Sequence, residues 1–185
     1  LNIEGMINGI EVDENLMIIT GECRWRAAKL NGWTEVPVNM NANHLPEYER
    51  FRRQMAENLH QSAAGGSSPM NAVDVAKGYA RLIKMRTGKD CQPGLLSRQE
   101  TYGLMKDIPQ ELGVSKQTVY EYLKLLSEPE YVLESVAKGR SRTAYREIAR
   151  IPEEYQEPLK RAVAEGIITE RRSLEKLATL AKTKP

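Results

Sequence analysis

The sequence predicts a small α+β lobe followed by a larger all-α lobe containing a helix-turn-helix, and three observations predict it. Before residue 41, short stretches rich in β-branched residues alternate with turn signals; from residue 45 onward apolar residues recur at helical spacing. Between helices lies "QSAAGGSSP", residues 61–69, a Gly/Ser connector. The boundary is placed at 64, giving regions 1–64 and 65–185.

The elements follow in order. "GIEVDENLMIIT" reads as a hairpin, with strands near Ile10 to Val12 and Met17 to Thr20 around "DEN". A helix starts at "GECRWRAAKL", packs through Ala27, Ala28 and Leu30, and stops at Asn31–Gly32. "TEVPVNM" is a third strand, placed near an edge by Pro37. "LPEYERFRRQMAENLH" is helical, and Ser68 and Pro69 start the next helix, Met70 to Met85, with Val73, Ala76, Ala80 and Ile83 as its stripe. After the break at "RTGKDCQPG" comes a short helix with Ile108 and Leu112 and a turn at Gly113–Val114–Ser115. A second helix then has Val119, Tyr122, Leu123 and Leu126 as its core face. This helix-turn-helix spans about 107–126, and the helices beyond it bring Arg140, Arg142 and Arg146 around a glycine-containing loop.

Composition narrows the class. A content of 41% hydrophobic and 28% charged residues is that of an ordinary globular chain. No stretch approaches the roughly 18 apolar residues of a membrane span, and no leader-like pattern is present, so a cytoplasmic protein without a membrane partner is expected. Cys23 and Cys91 lack metal-site spacing and read as free thiols. The net charge of +2 is uneven: residues 1–70 carry 6 Lys and Arg against 9 Asp and Glu, residues 71–185 carry 21 against 16. The basic excess suits nucleic acid and equally a solvated helical surface. The start at Leu1, already resembling the end of a helix, leads us to expect a further segment upstream.

Two places concentrate chemistry. At residue 21 a glycine opens a helix carrying Glu22, Cys23, Arg24 and Arg26; free backbone N–H groups, the positive helix end and arginines together favour phosphate. On the second helix of the helix-turn-helix the non-core set is Ser115, the cap, with Lys116, Gln117, Thr118, Tyr120, Glu121 and Lys124, side chains able to reach base edges and phosphates in a major groove. The alternative is a structural helix pair, and for Arg140, Arg142 and Arg146 plain solvation.

Three separated motifs resemble the ParB/Spo0J family of partition proteins, in the right order over nearly the whole chain. "GMINGIEV" resembles the end of its first nucleotide box, "GECRWRAAKLNGWTEVPV" its GERRxRA box, and "AENLHQ" its ENLQR box; "SPMNAVDVAKGYARL" and "LGVSKQTVYEYLKLL" occupy the places of the following helix and of the helix-turn-helix. The resemblance implies a ParB-like, sulfiredoxin-like α+β N-terminal domain and an all-α helix-turn-helix domain. It implies a CTP and Mg2+ site, centromeric parS-like DNA as ligand, a homodimeric clamp closed by nucleotide and reopened by slow hydrolysis, and a ParA-type ATPase partner. Carried over residue by residue, Gly5, Thr20, Gly21, Glu22, Arg24, Arg26 and Asn58 hold nucleotide, Glu57 and Asn58 hold magnesium, and Asn8 takes the catalytic place. The sequence departs from the pattern at Asn8 for glutamine, Gly9 for proline, Cys23 for arginine, and His60–Gln61 for Gln–Arg, which removes two arginines from the expected pocket. No dimerising domain is recognisable after Leu180.

Two further readings remain. The same fold suits a plasmid or phage transcriptional regulator, while an enzyme reading, nuclease or redox, finds little support in the residues. Only His44 and His60 are available as histidine bases, and Cys23 sits one residue past the place of the sulfiredoxin cysteine, a rotation of about 100°.

Overall fold

The computed structural model describes residues 9–41, 45–63, 70–91 and 96–169, with backbone alone at 61–63. It divides into two compact units, residues 1–69 with 111–113, and residues 70–110 with 114–185. Gly5, Asn8, His44, Ser68 and Pro69 lie outside the described residues.

In the first unit, β1 (Ile10–Val12), β2 (Ile18–Thr20), α1 (Glu22–Leu30), β3 (Val38–Met40) and α2 (Glu47–Ala63) follow one another. The sheet order is β2-β1-β3: β1 and β2 form the expected antiparallel hairpin, whose pairing of Glu11 with Thr20 and of Val12 with Ile18 leaves a bulge, and β3 joins β1 in parallel. Pro37 enters β3 at the sheet edge, where its missing N–H costs nothing, and its carbonyl accepts from the Ile10 N–H at 2.9 Å. Ile10, Val12, Ile19, Ala28, Leu45 and Met55 form the small core.

Leu30 does not pack as the sequence predicts; it is 88% exposed. Ala28 is the buried anchor of α1, and two residues further along a helix is a turn of about 200°, which carries Leu30 to the opposite side. The Asn31 cap then ends the helix before another inward position arrives.

The hairpin turn is organised by Asp13, whose side chain is fully buried. Its Oδ1 accepts from the backbone N–H groups of Asn15 and Met17, each at 2.9 Å, and its Oδ2 lies 3.7 Å from Nη1 of Arg50 on α2. This is an Asx-type turn whose charge is balanced from the neighbouring helix. Gln54 adds a second tie, donating from Nε2 to the Ile18 carbonyl at 3.0 Å.

The second unit contains α3 (Ala72–Thr87), α4 (Arg98–Met105), α5 (Ile108–Glu111) up to Gln110, α6 (Lys116–Leu125), α7 (Glu130–Ala137), α8 (Arg142–Ile148) and α9 (Glu153–Ala164). α3 begins at Ala72 rather than Met70, because Asn71 is its N-cap, with a side chain that accepts from the N–H groups of Val73 and Asp74. Its buried stripe runs through Val75, Ala76, Tyr79, Leu82 and Ile83; Ala80, expected in that stripe, is only half-buried. The larger side chains at 79 and 82 claim the space, and the stripe rotates with them. α3 packs against α6 and α7, while α7, α8 and α9 close a second layer around Val132, Val136, Tyr145, Ile148 and Val163. Both cysteines are free, Cys23 exposed and Cys91 buried. Among the described residues no helix is long and apolar enough to cross a membrane.

Replacing Asp13 by alanine leaves two turn N–H groups without their acceptor and Arg50 without its counter-charge. We expect Asp13→Ala to lower stability by about 1–3 kcal/mol, read as a lower urea midpoint in the fluorescence of Trp25 and Trp33, both in the first unit.

Candidate functional site

α6 is fixed in rotation by what it buries. Val119 and Leu123 are fully enclosed and Leu125 nearly so, whereas Leu126, expected in the core face, is half-buried at the helix end. Tyr122 is also only half-buried, its ring edge against Tyr79 with centroids 5.8 Å apart. Lys116, Gln117 and Lys124 are exposed, with Tyr120 and Glu121 half-exposed among them. Ser115 and Thr118 are spent locally: the Ser115 hydroxyl accepts from the Thr118 N–H at 3.0 Å as the N-cap and lies 2.8 Å from the Thr118 hydroxyl.

α4, which the motif reading did not single out, adds a second element to this face. Its start is set by a capping box: the Ser97 hydroxyl accepts from the Glu100 N–H, and the Glu100 carboxylate accepts from the Ser97 N–H at 2.8 Å. That places Arg98 and Tyr102 one turn apart on one side. Arg98 lies against two rings, 5.2 Å from Tyr102 and 5.5 Å from Tyr120, which meet edge to face at 5.7 Å. It donates to the Tyr102 hydroxyl at 2.9 and 3.1 Å and, by a short contact, to Oε1 of Gln117. The Tyr102 hydroxyl donates to the same Oε1 at 2.8 Å, and Gln117 Nε2 donates to Glu121 at 2.6 Å. Hydrogen bonding to Tyr102 holds the Arg98 pKa above its ordinary value. The signal available in the sequence was an Arg and a Tyr at i and i+4 behind an N-cap serine.

The arginines after α7 separate. Arg142 sits 4.1 Å over the Tyr122 ring, and Arg146 is exposed, 3.7 Å from the buried Glu147. With Glu121, Lys124 and Glu128 they line one shallow groove between α6 and α8. Arg140 is not part of it, because its guanidinium covers Gly166.

The helix start at residue 21 is built around a left-handed glycine. Gly21 has φ 94° and caps α1 with no side-chain hydrogen bond to the first turn. Arg24 folds back over it, so closely that a Cβ on Gly21 would stand 3.0–3.2 Å from the guanidinium atoms. The Arg24 Nη1 donates to the Gly9 carbonyl at 2.8 Å, and its Nη2 lies 3.6 Å from Oε1 of Glu57 on α2. Asn58 follows Glu57, half-buried, and Thr20 is half-buried at the end of β2. Arg26 is instead paired with Glu22 at 2.5 Å on the exposed side of α1. Arg24, Gly21 and Glu57 are thus brought together; Glu22 and Arg26 form a pair of their own. Cys23 is exposed on α1. Among the described residues no three His, Cys, Asp or Glu side chains converge on a metal-sized point.

No protein-family model matches the chain. It is 29% identical over 140 residues to the nucleoid occlusion protein of Geobacillus thermodenitrificans, covering 74% of this chain and 42% of that protein. It is 27% identical over 167 residues to the "Probable chromosome 2-partitioning protein ParB" of Deinococcus radiodurans, covering 84% and 53%. The chain therefore spans about half the length of these relatives. In fold it is similar to C-terminally truncated ParB from Caulobacter crescentus, solved in complex with the centromeric parS site, at a TM-score of 0.55 and 22% identity over 94% of this chain and 83% of that one. The chain is thus similar in sequence to partition and nucleoid occlusion proteins and similar in fold to ParB.

Proposed function

We propose that the chain is a DNA-binding partition protein that reads duplex DNA with α6. The observation that carries this is the division of α6 itself: one side is sealed by Val119, Leu123 and Leu125, and the other presents Lys116, Gln117, Tyr120 and Lys124 to solvent. Lys116, Lys124, Arg142 and Arg146 are cations at the helix and its flanking groove, suited to phosphates that set register; Gln117 carries a carboxamide suited to a base edge. The solved relative is a complex with parS, which makes parS-like DNA the first ligand to offer. By the same family likeness we assign a homodimer, a ParA-type ATPase partner and a nucleoid- or plasmid-associated location.

The residues around Gly21 also fit a nucleotide phosphate. The uncapped first turn of α1 and the Arg24 guanidinium offer donors to an anion, while Glu57 and Asn58 offer the oxygen ligands a hard cation needs. CTP with Mg2+, when bound, would supply the charge that a clamp-closing rearrangement responds to. Arg24 would then turn part of its guanidinium from Glu57 to phosphate. Asn8 keeps the catalytic place that the motif gives it, outside the described residues.

Fluorescence anisotropy with parS and a scrambled duplex separates the roles. Lys116→Ala should weaken both duplexes alike and flatten the slope of log K against log salt by about 0.9; Gln117→Ala should shrink the difference between them. No change in either variant would remove α6 from the interface, and preference for a promoter operator over parS would favour a regulator.

Arg24→Ala should abolish CTP binding in calorimetry with magnesium while parS binding persists. Unchanged CTP affinity would remove the assigned site.

A further inference from the structure

The hydrogen bonds on Gln117 limit what it can read. This step rests on α6 being the DNA-contacting helix. We propose that Arg98 and Tyr102 of α4 are positioning residues that occupy the Gln117 carbonyl, leaving the carboxamide a donor only, so that its position selects a base edge made of acceptors, guanine above all.

The polarity of the network leaves one solution. Arginine only donates and a carboxylate only accepts, so the Gln117 atom facing Arg98 must be the carbonyl oxygen and the atom facing Glu121 must be the nitrogen. The Tyr102 hydroxyl accepts from Arg98 and spends its proton on the same carbonyl. Both lone pairs of Oε1 are then filled, and one of the two Nε2 hydrogens is taken at 2.6 Å by Glu121. A single N–H remains for DNA.

Adenine recognition by glutamine needs both ends of the amide, a donor for N7 and an acceptor for the N6 amine. Here the acceptor end is occupied, so adenine loses its advantage. Cytosine presents only an amine donor to the major groove and is refused. Thymine presents O4 as a lone acceptor beside its methyl, while guanine presents O6 and N7 together, so one N–H is served by either of two guanine atoms. The two rings holding Arg98 keep the arrangement in place before any duplex arrives.

The test is selection of duplexes from a randomised library by the chain and by Gln117→Ala, Arg98→Ala and Tyr102→Phe, with sequencing of the bound pools. Circular dichroism melts confirm that each variant is folded. Loss of preference at one base position in Gln117→Ala identifies the position that Gln117 reads. At that position the unsubstituted chain should favour guanine over adenine by about fivefold. Arg98→Ala and Tyr102→Phe each free one lone pair of the Gln117 carbonyl, and each should move the preference towards adenine. Adenine already preferred there in the unsubstituted chain would overturn the proposal, as would an Arg98→Ala variant that binds all pools more weakly with that position unchanged. If Gln117→Ala leaves every position as it was, the failure lies in the reading of α6 as the reader, and the proposal falls with it.

Discussion

Burial of one stripe of α6 against α3 is the constraint from which the second unit takes its function. Val119 and Leu123 are spaced by four, so they lie on one side of the helix and are buried together where α6 packs against α3. Enclosing each such side chain stabilises the fold by about 1.5–3 kcal/mol, enough to exclude any other rotation of the helix. Once that rotation is set, Gln117, Tyr120 and Lys124 are neighbours by geometry, at i, i+3 and i+7. The polar face is the complement of the core.

The cations beside this face are held by aromatic rings. Arg98 rests against Tyr102 and Tyr120, and Arg142 rests on Tyr122. A free arginine side chain loses about 2 kcal/mol of rotamer entropy when a ligand orders it. A guanidinium stacked on a ring has lost much of that freedom already and keeps its full charge, because the ring quadrupole attracts without neutralising. Lys116 and Lys124 bring long flexible stems instead, so they suit a phosphate as point charges and not as oriented forks.

What the sequence revealed was local, and what it concealed depended on packing. The hairpin at Ile10–Val12, the edge strand after Pro37, the α1 start at Gly21 and the turn at Gly113 were legible because each rests on a backbone preference of the residues themselves. The core list was less so. Leu30 was assigned inward by its type, but helix rotation set by Ala28 sends it out; Ala80 and Leu126 gave way to Tyr79, Leu82 and Leu125, which only the neighbouring helices could select. Arg98 and Tyr102 stayed hidden because their significance lies in a contact between separate helices, 15 to 19 residues apart in the chain. Arg140, close to Arg142 and Arg146 in sequence, has its guanidinium over the distant Gly166, a contact that only packing sets, while the other two line the groove.

Arg24 of the first unit and Arg142 of the second are held by opposite means, and the difference bears on how each would respond to an anion. Arg24 is paired with a carboxylate 3.6 Å away and a backbone carbonyl at 2.8 Å. An anion offered there would compete with these partners, so its net gain would be a difference between two attractions. Arg142 on Tyr122 makes no such exchange, because a phosphate approaching from the open side leaves the ring contact in place. Binding at the first kind of site would therefore be coupled to the side chains of α2 that Arg24 already meets. Binding at the second is additive, each contact adding attraction without rearranging the core. A switch needs the first arrangement, and a surface that grips a polyanion at many points needs the second.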